Sequence, residues 1–197
     1  MATKKKEIDV VTRKVSLRGT TPIMFDRYAG DNKTELTVDQ KLYLAPDGKS
    51  LVVPSVNLMS FLCAQNTPSA AKRFYDSREY KAIAQGVLSY TTINPTDIPL
   101  TKNGKPIQFS GFVGDEDTTA GVYVHRSVAR LDKGIPNPKV RPVLRLPWEL
   151  CFDISIYPNP DGITEDVLHR LFDRGGIAIG LGTFRGVFGK FVIESWE

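Results

Sequence analysis

Six glycines crowd one stretch near the carboxyl end, Gly175-Gly176-Ile177-Ala178-Ile179-Gly180-Leu181-Gly182-Thr183-Phe184-Arg185-Gly186-Val187-Phe188-Gly189-Lys190-Phe191. Glycine has no Cβ, so main-chain N–H groups can converge on an anion. Arg185 and Lys190 set fixed positive charge beside Gly180, Gly182, Gly186 and Gly189. Together these suit a phosphate chain. The stretch follows a helical pattern and precedes the last strand, which is the wrong context for a dinucleotide fingerprint. It also lacks the Gly-Lys-Ser/Thr ending of a phosphate loop. The same glycines would equally serve a tight turn that only shapes a sheet.

A second feature is a basic run of Arg126, Arg130, Lys133, Lys139, Arg141 and Arg145, interrupted by the acid Asp132. Arg18, at the end of the first strand, and Arg27, beyond it, extend the set. Cations on phosphates give salt-dependent, sequence-tolerant affinity, because each neutralised phosphate releases counterions. The plainer reading is a charged strand edge that resists aggregation. The two histidines are His125, on a strand face shared with Tyr123, and His169, on a helix. The acidic trio Asp115-Glu116-Asp117 has the charge to hold a divalent ion or to dock a basic patch on a neighbouring copy. There is no CxxC, HExxH or clustered Cys/His spacing, so neither a metal site nor a cofactor is expected.

The elements that must position these residues read as α+β. Val10 to Arg18 alternates as a strand, with Arg13 or Lys14 and Arg18 on its polar face, and Gly19-Thr20-Thr21-Pro22 ends it. A hairpin follows: Leu42-Tyr43-Leu44, the turn Pro46-Asp47-Gly48, then Leu51-Val52-Val53. Ser55 is placed to cap a helix carrying Val56, Leu58, Met59, Phe61 and Leu62, and a second helical stretch spans 69–88. Residues 91–121 read as an irregular insertion with short strands. Val122 to Arg130 is a strand, 132–138 a loop, 141–146 extended, and Leu150 to Tyr157 a strand. Thr164 caps a helix with Glu165 and Asp166 in its first turn, and Gly175-Gly176 stops it. Phe188 to Ile193 is the last strand. Strands and helices in this mixed order suit helices on one face of an antiparallel sheet.

At 197 residues, with 41% hydrophobic and 24% charged, the chain has the size and composition of one packed domain, 8–197, behind a flexible basic tail, 1–7. The net charge of +4 leans toward polyanions without deciding the partner. No apolar run approaches the roughly 20 residues that span a bilayer, and none follows the basic start, so no membrane partner or signal peptide is expected. The expected location is cytoplasmic, the host cytoplasm if phage-encoded. Cys63 and Cys151 lie in apolar surroundings and are expected as reduced core thiols.

The terminal Gly-Leu-Gly-x-x-Arg-Gly-x-Phe-Gly-Lys-Phe resembles the C-terminal glycine-rich loop of the RAMP superfamily, the RNA-binding subunits of CRISPR effector complexes. Leu51-Val52-Val53-Pro54-Ser55-Val56-Asn57-Leu58-Met59 looks like the strand, Ile-Pro and helix segment of their backbone-forming subunits, with Ser55-Val56-Asn57 where a Gly-Ser-Ser type of start is usual. Val15 to Ile23 is similar to their first strand and the turn after it. The middle third is unmatched, and small phage proteins with the same terminal motif look alike too.

The resemblance implies a modified ferredoxin-like, RNA-recognition-like core whose inserted loops grip single-stranded RNA or DNA. It also implies copies that stack along the strand, as a homo-oligomer or as subunits of a larger assembly. Two catalytic roles come with it: His125 as general base on a ribose hydroxyl, and Asp26 (or Asp31) as the loop aspartate that cuts target RNA in some such subunits. The competing expectations are thus a non-enzymatic backbone binder, an endoribonuclease using His125 or Asp26, and a phage structural or host-interaction protein without nucleic acid.

Overall fold

The computed structural model describes residues 9–197 except 32, 66, 131–133 and 135. The tail 1–7, Asp132 and Lys133 lie outside the described residues, as does the side chain of Arg130. The elements in chain order are β1 (Val11–Gly19), β2 (Ile23–Met24), β3 (Val52–Pro54), α1 (Ser55–Cys63), α2 (Tyr80–Tyr90), β4 (Thr91–Asn94) and β5 (Asp97–Lys102). Then follow β6 (Lys105–Pro106), β7 (Glu116–Asp117), β8 (Val122–Arg130), β9 (Pro136–Leu144), β10 (Glu149–Ile156), α3 (Glu165–Ala178) and β11 (Phe191–Trp196).

The main sheet runs β11-β1-β10, and β10 divides its far edge between two strands. Asp153–Ile156 pair with β4, whereas Glu149 and Leu150 pair with β5, which carries β3 and β6. Every one of these pairings is antiparallel. With α1 and α2 between β1 and β4, and α3 between β10 and β11, this is a ferredoxin-like arrangement with the order β11-β1-β10-β4. The stretch read as an irregular insertion therefore begins with two main-sheet strands, β4 and β5.

Alternation on β1 and β10 sends Val15, Leu17, Leu150, Phe152 and Ile154 into the core. There Phe172 of α3 lies 5.7 Å from both Phe152 and Phe61 of α1. The opposite face is open, and its cross-strand neighbours Lys14 and Asp153, and Arg18 and Glu149, are mostly exposed. Cys151 lies on this open face rather than in the core, while Cys63 is buried; both are free thiols. Arg13 points the other way, its Nε 2.7 Å from Glu165 Oε1 at the start of α3.

Several local expectations change. Ser55 is the first residue of α1 and Pro54 takes the N-cap position, with no side-chain capping bond. The second helical stretch divides into a 3-10 turn, Ala71–Phe74, and α2, because the Asp76 carboxylate accepts the Arg78 N–H at 2.9 Å and holds a turn between them. Thr164 caps α3, its Oγ1 accepting the Val167 N–H. Gly175-Gly176 do not stop that helix. They lie inside it because a Cβ at Gly175 would come 2.5 Å from the Phe61 ring, and one at Gly176 2.7 Å from Phe191. The left-handed residue that ends α3 is Gly180, φ +86°, whose N–H returns to the Gly175 carbonyl.

A second sheet, β2-β9-β8-β7, stands on this core, and most of it is the long β8–β9 ribbon. Prolines led 132–138 to be read as loop, yet β9 begins at Pro136. Pro136, Pro138 and Pro142 fall at even spacing, so their missing N–H groups all lie on the edge away from β8 and no ribbon bond is lost.

Candidate nucleic-acid interface

Register sorts the basic run. Tyr123, His125 and Ser127 lie opposite Val143, Arg141 and Lys139, so these six share one ribbon face. Arg126 falls on the other face, its Nη2 2.9 Å from Asp115 Oδ1. Arg145, near the ribbon's base, reaches Glu116 at 2.8 Å and lies 4.4 Å from the centre of the Tyr123 ring. Both ion pairs are solvent-exposed and hold their elements weakly.

The third acid of the trio, Asp117, is 1% exposed. Its carboxylate accepts the Ser110 N–H and hydroxyl and the N–H groups of Thr119 and Ala120. Burial alone would raise its pKa; those bonds outweigh burial and bring it below the usual aspartate value. Each acid of the trio is thus engaged by its own chain, and no group of three or more metal-ligating side chains occurs among the described residues.

On the shared ribbon face, Arg141 Nε donates to Asp26 Oδ2 at 2.6 Å, with the Arg141 side chain only 15% exposed. This bond ties the loop after β2 to the ribbon. Between them opens a cleft of about 480 Å³, whose lining includes Arg27, Lys33, Lys41 and Lys139. Asp26, Asp31 and Glu35 also line it. Two of those acids are already engaged: Asp26 by Arg141, and Asp31 by the Thr34 N–H and hydroxyl and the Lys33 N–H, which hold its pKa low. Lys41 Nζ donates to the Val140 carbonyl at 2.8 Å and closes the floor. The remaining balance is positive. Lys33 and Lys41 were not foreseen, because in sequence they belong to an unpatterned polar stretch.

The glycine loop differs from its expectation. Gly186 N–H donates to Ile179 O at 2.6 Å, Leu181 N–H to Gly189 O at 2.8 Å, Gly189 N–H to Pro22 O at 2.7 Å and Thr183 N–H to Met24 O at 2.9 Å. The Lys190 N–H goes to Thr21 Oγ1. The expectation that Gly180, Gly186 and Gly189 offer open N–H donors is therefore corrected: their amides are spent inside the fold. Glycine is required here for close approach between main chains. A Cβ at Gly189 would sit 1.9 Å from the Leu181 oxygen, and one at Gly182 2.3 Å from the Met24 oxygen.

The loop packs on the β1–β2 turn, which Trp148, fully buried, fastens by donating Nε1–H to Thr21 O at 2.8 Å. Arg185 is likewise committed. Nη1 donates to Ser69 O at 2.6 Å and Nε to Gly182 O at 3.2 Å, and burial lowers its pKa. Lys190 is half-buried and has no ion pair among the described residues.

Where the loop meets the ribbon, Phe188 lies 5.4 Å from the His125 ring, edge to face, and 5.9 Å from Phe184. His125 has this aromatic contact and no side-chain hydrogen bond among the described residues. Asp26 lines both the large cleft and a smaller one of about 180 Å³ that also touches Gly182, Thr183 and Arg185. His169 packs on Trp196 at 5.1 Å, remote from this region in the fold. Arg18 lies on the open sheet face, 3.5 Å from Glu194, so the structure does not bring it to the cleft.

The class defined by fold and site is an α+β, ferredoxin-like core carrying a β-ribbon, with a basic cleft against the outer half of β9. No family model matches the sequence, and no curated protein matches it. Among solved structures, the fold is similar to a chain in the cryo-EM structure of the Type III-B Cmr-beta bound to cognate target RNA. The TM-score is 0.58 at 12% identity, covering 95% of this chain and 60% of that one, so this chain spans about three fifths of its neighbour's length. The likeness is one of fold. No helix among the described residues is long and apolar enough to cross a membrane.

Proposed function

We propose that this chain is a RAMP-type, sequence-tolerant binder of single-stranded RNA that holds the sugar–phosphate backbone in the cleft between the β2 loop and the ribbon. The observation that carries the reading is the convergence of Arg27, Lys33, Lys41 and Lys139 on one concavity of about 480 Å³, with Asp26 neutralised by Arg141. The fold likeness to a chain from an assembly bound to target RNA supports it. Lys190 and the bends at Gly182 and Gly186 flank the path. Arg126 and Arg145, paired with Asp115 and Glu116, lie outside the grip, and copies lie side by side along one strand.

The test is binding of a fluorescein-labelled 20-nucleotide RNA across a salt series. Affinity falls steeply with salt, with a log–log slope of about −0.7 for each phosphate neutralised. Absence of binding at low salt overturns the proposal. The position of Asp26 on both clefts favours a second reading, RNA cleavage. In that case discrete products form with wild type and vanish in Asp26→Asn, and RNA that stays intact rejects it.

A further inference from the structure

Phe184 meets the rest of the fold through Phe188 and leaves much of its side chain uncovered. The residue is 52% exposed and Val187 beside it 54%, in a loop whose Ile179 and Leu181 are buried. Its backbone is left-handed, φ +54°, a conformation the same loop elsewhere gives to Gly180, Gly182, Gly186 and Gly189. For a bulky aromatic residue this is a strained position that glycine would occupy more easily. The fold nonetheless holds the ring in place. Phe184 leans on Phe188, and His125 of the ribbon braces Phe188 from the side.

The ring forms one wall of a shallow cleft of about 380 Å³, shared with Ser60 and Ala64 at the end of α1, Ser69, Thr183 and Arg185. That volume is in the range of small-ligand sites, roughly 300–1,000 Å³. The chemistry around the ring is polar and cationic: three hydroxyls, the positive charge of Arg185, whose Nε and Nη1 are already bonded to Gly182 and Ser69 carbonyls, and the N–H groups of Gly182, Phe184 and Arg185, which have no acceptor among the described residues. A flat apolar face with a rim of donors and a cation fits a heteroaromatic ring attached to a phosphate better than it fits an aliphatic side chain.

We propose that Phe184 is a stacking platform for one unpaired base of the bound strand, the adjoining phosphate taking the unpaired N–H donors beside it. This rests on the reading of the chain as a single-strand binder and adds a base contact to a backbone grip. Stacking is tolerant of sequence because every base has a π-face.

The experiment uses the full chain and two labelled strands of equal length, oligouridylate and an abasic sugar–phosphate strand, measured by fluorescence anisotropy. Phe184→Ala weakens oligouridylate binding about tenfold, within the range of one lost base–aromatic stack. The same variant leaves the abasic strand unaffected, and Phe184→Tyr retains wild-type affinity for both. Phe184→Leu, which keeps an apolar side chain without a π-face, behaves like the alanine variant. If wild type binds both strands and Phe184→Ala binds them equally well, the stacking site is wrong and the backbone grip stands. If wild type binds neither strand, the reading beneath it has failed.

Discussion

The glycine loop and the ribbon cleft lie on either side of the contact between Phe188 and His125, and they direct their polar groups in opposite senses. In the loop, five main-chain donors, those of Leu181, Thr183, Gly186, Gly189 and Lys190, and one guanidinium turn inward to carbonyls and a hydroxyl of the same chain. In the cleft, Arg27, Lys33, Lys41 and Lys139 line a concavity, and Asp26 among them is paired with Arg141. The loop is the rigid wall and the cleft the charged surface. A cation whose N–H groups the fold has taken has fewer left for a ligand.

The largest expected effect separates glycines within the loop. Gly189→Ala forces a Cβ into the Leu181 carbonyl at a left-handed residue, and should lower the unfolding free energy by about 3 kcal/mol or more. Gly186→Ala meets nothing within 4 Å and should cost only the left-handed strain, roughly 1–2 kcal/mol. Denaturant titration of both variants checks the difference; equal losses would mean that the loop is not a close-packed wall.

Next is the cleft itself. Arg27→Ala combined with Lys139→Ala should leave thermal melting close to wild type. It should also reduce the salt slope of RNA binding by about 0.7 for each phosphate contact removed. An unchanged slope would move the contact away from the cleft.

Asp117 tests what holds the segment before the ribbon. Its folded pKa lies below the unfolded value of about 3.9, so its stabilisation is complete above that pH and is lost as pH falls through the folded pKa. Asp117→Asn removes this dependence. Between about pH 5 and pH 3 its stability should fall less than that of wild type, as read by chemical denaturation along a pH series. A parallel decline would show that the buried carboxylate is not the titrating group.

Arg18→Ala should do least, changing stability by less than about 0.5 kcal/mol and RNA affinity not measurably, because its partner Glu194 is exposed and both lie on the open sheet face. Loss of binding in this variant would shift the interface to that face.

Much of the core was legible from local pattern. Alternation located β1, β8 and β10; the Thr164 cap and the acids after it located the start of α3. Other elements were misread for stated reasons. The Gly175-Gly176 pair has the composition of a helix stop, but packing against Phe61 and Phe191 uses both residues as helical contact points. The prolines of β9 have the composition of a loop, and only their common side, turned away from β8, makes them compatible with pairing.

The residues themselves determined the α+β pattern, the Thr164 cap, and most of the positions that take left-handed backbone, because these depend on neighbours within a few positions along the chain. Which cations face a ligand was decided by tertiary structure. Arg141 is paired with Asp26 from 115 residues away, and Arg185 with the carbonyl of Ser69 from 116. The ribbon register then put Lys139 on one face and Arg126 on the other. Such partners are chosen by sheet order and loop docking, and those follow from burying the whole core at once.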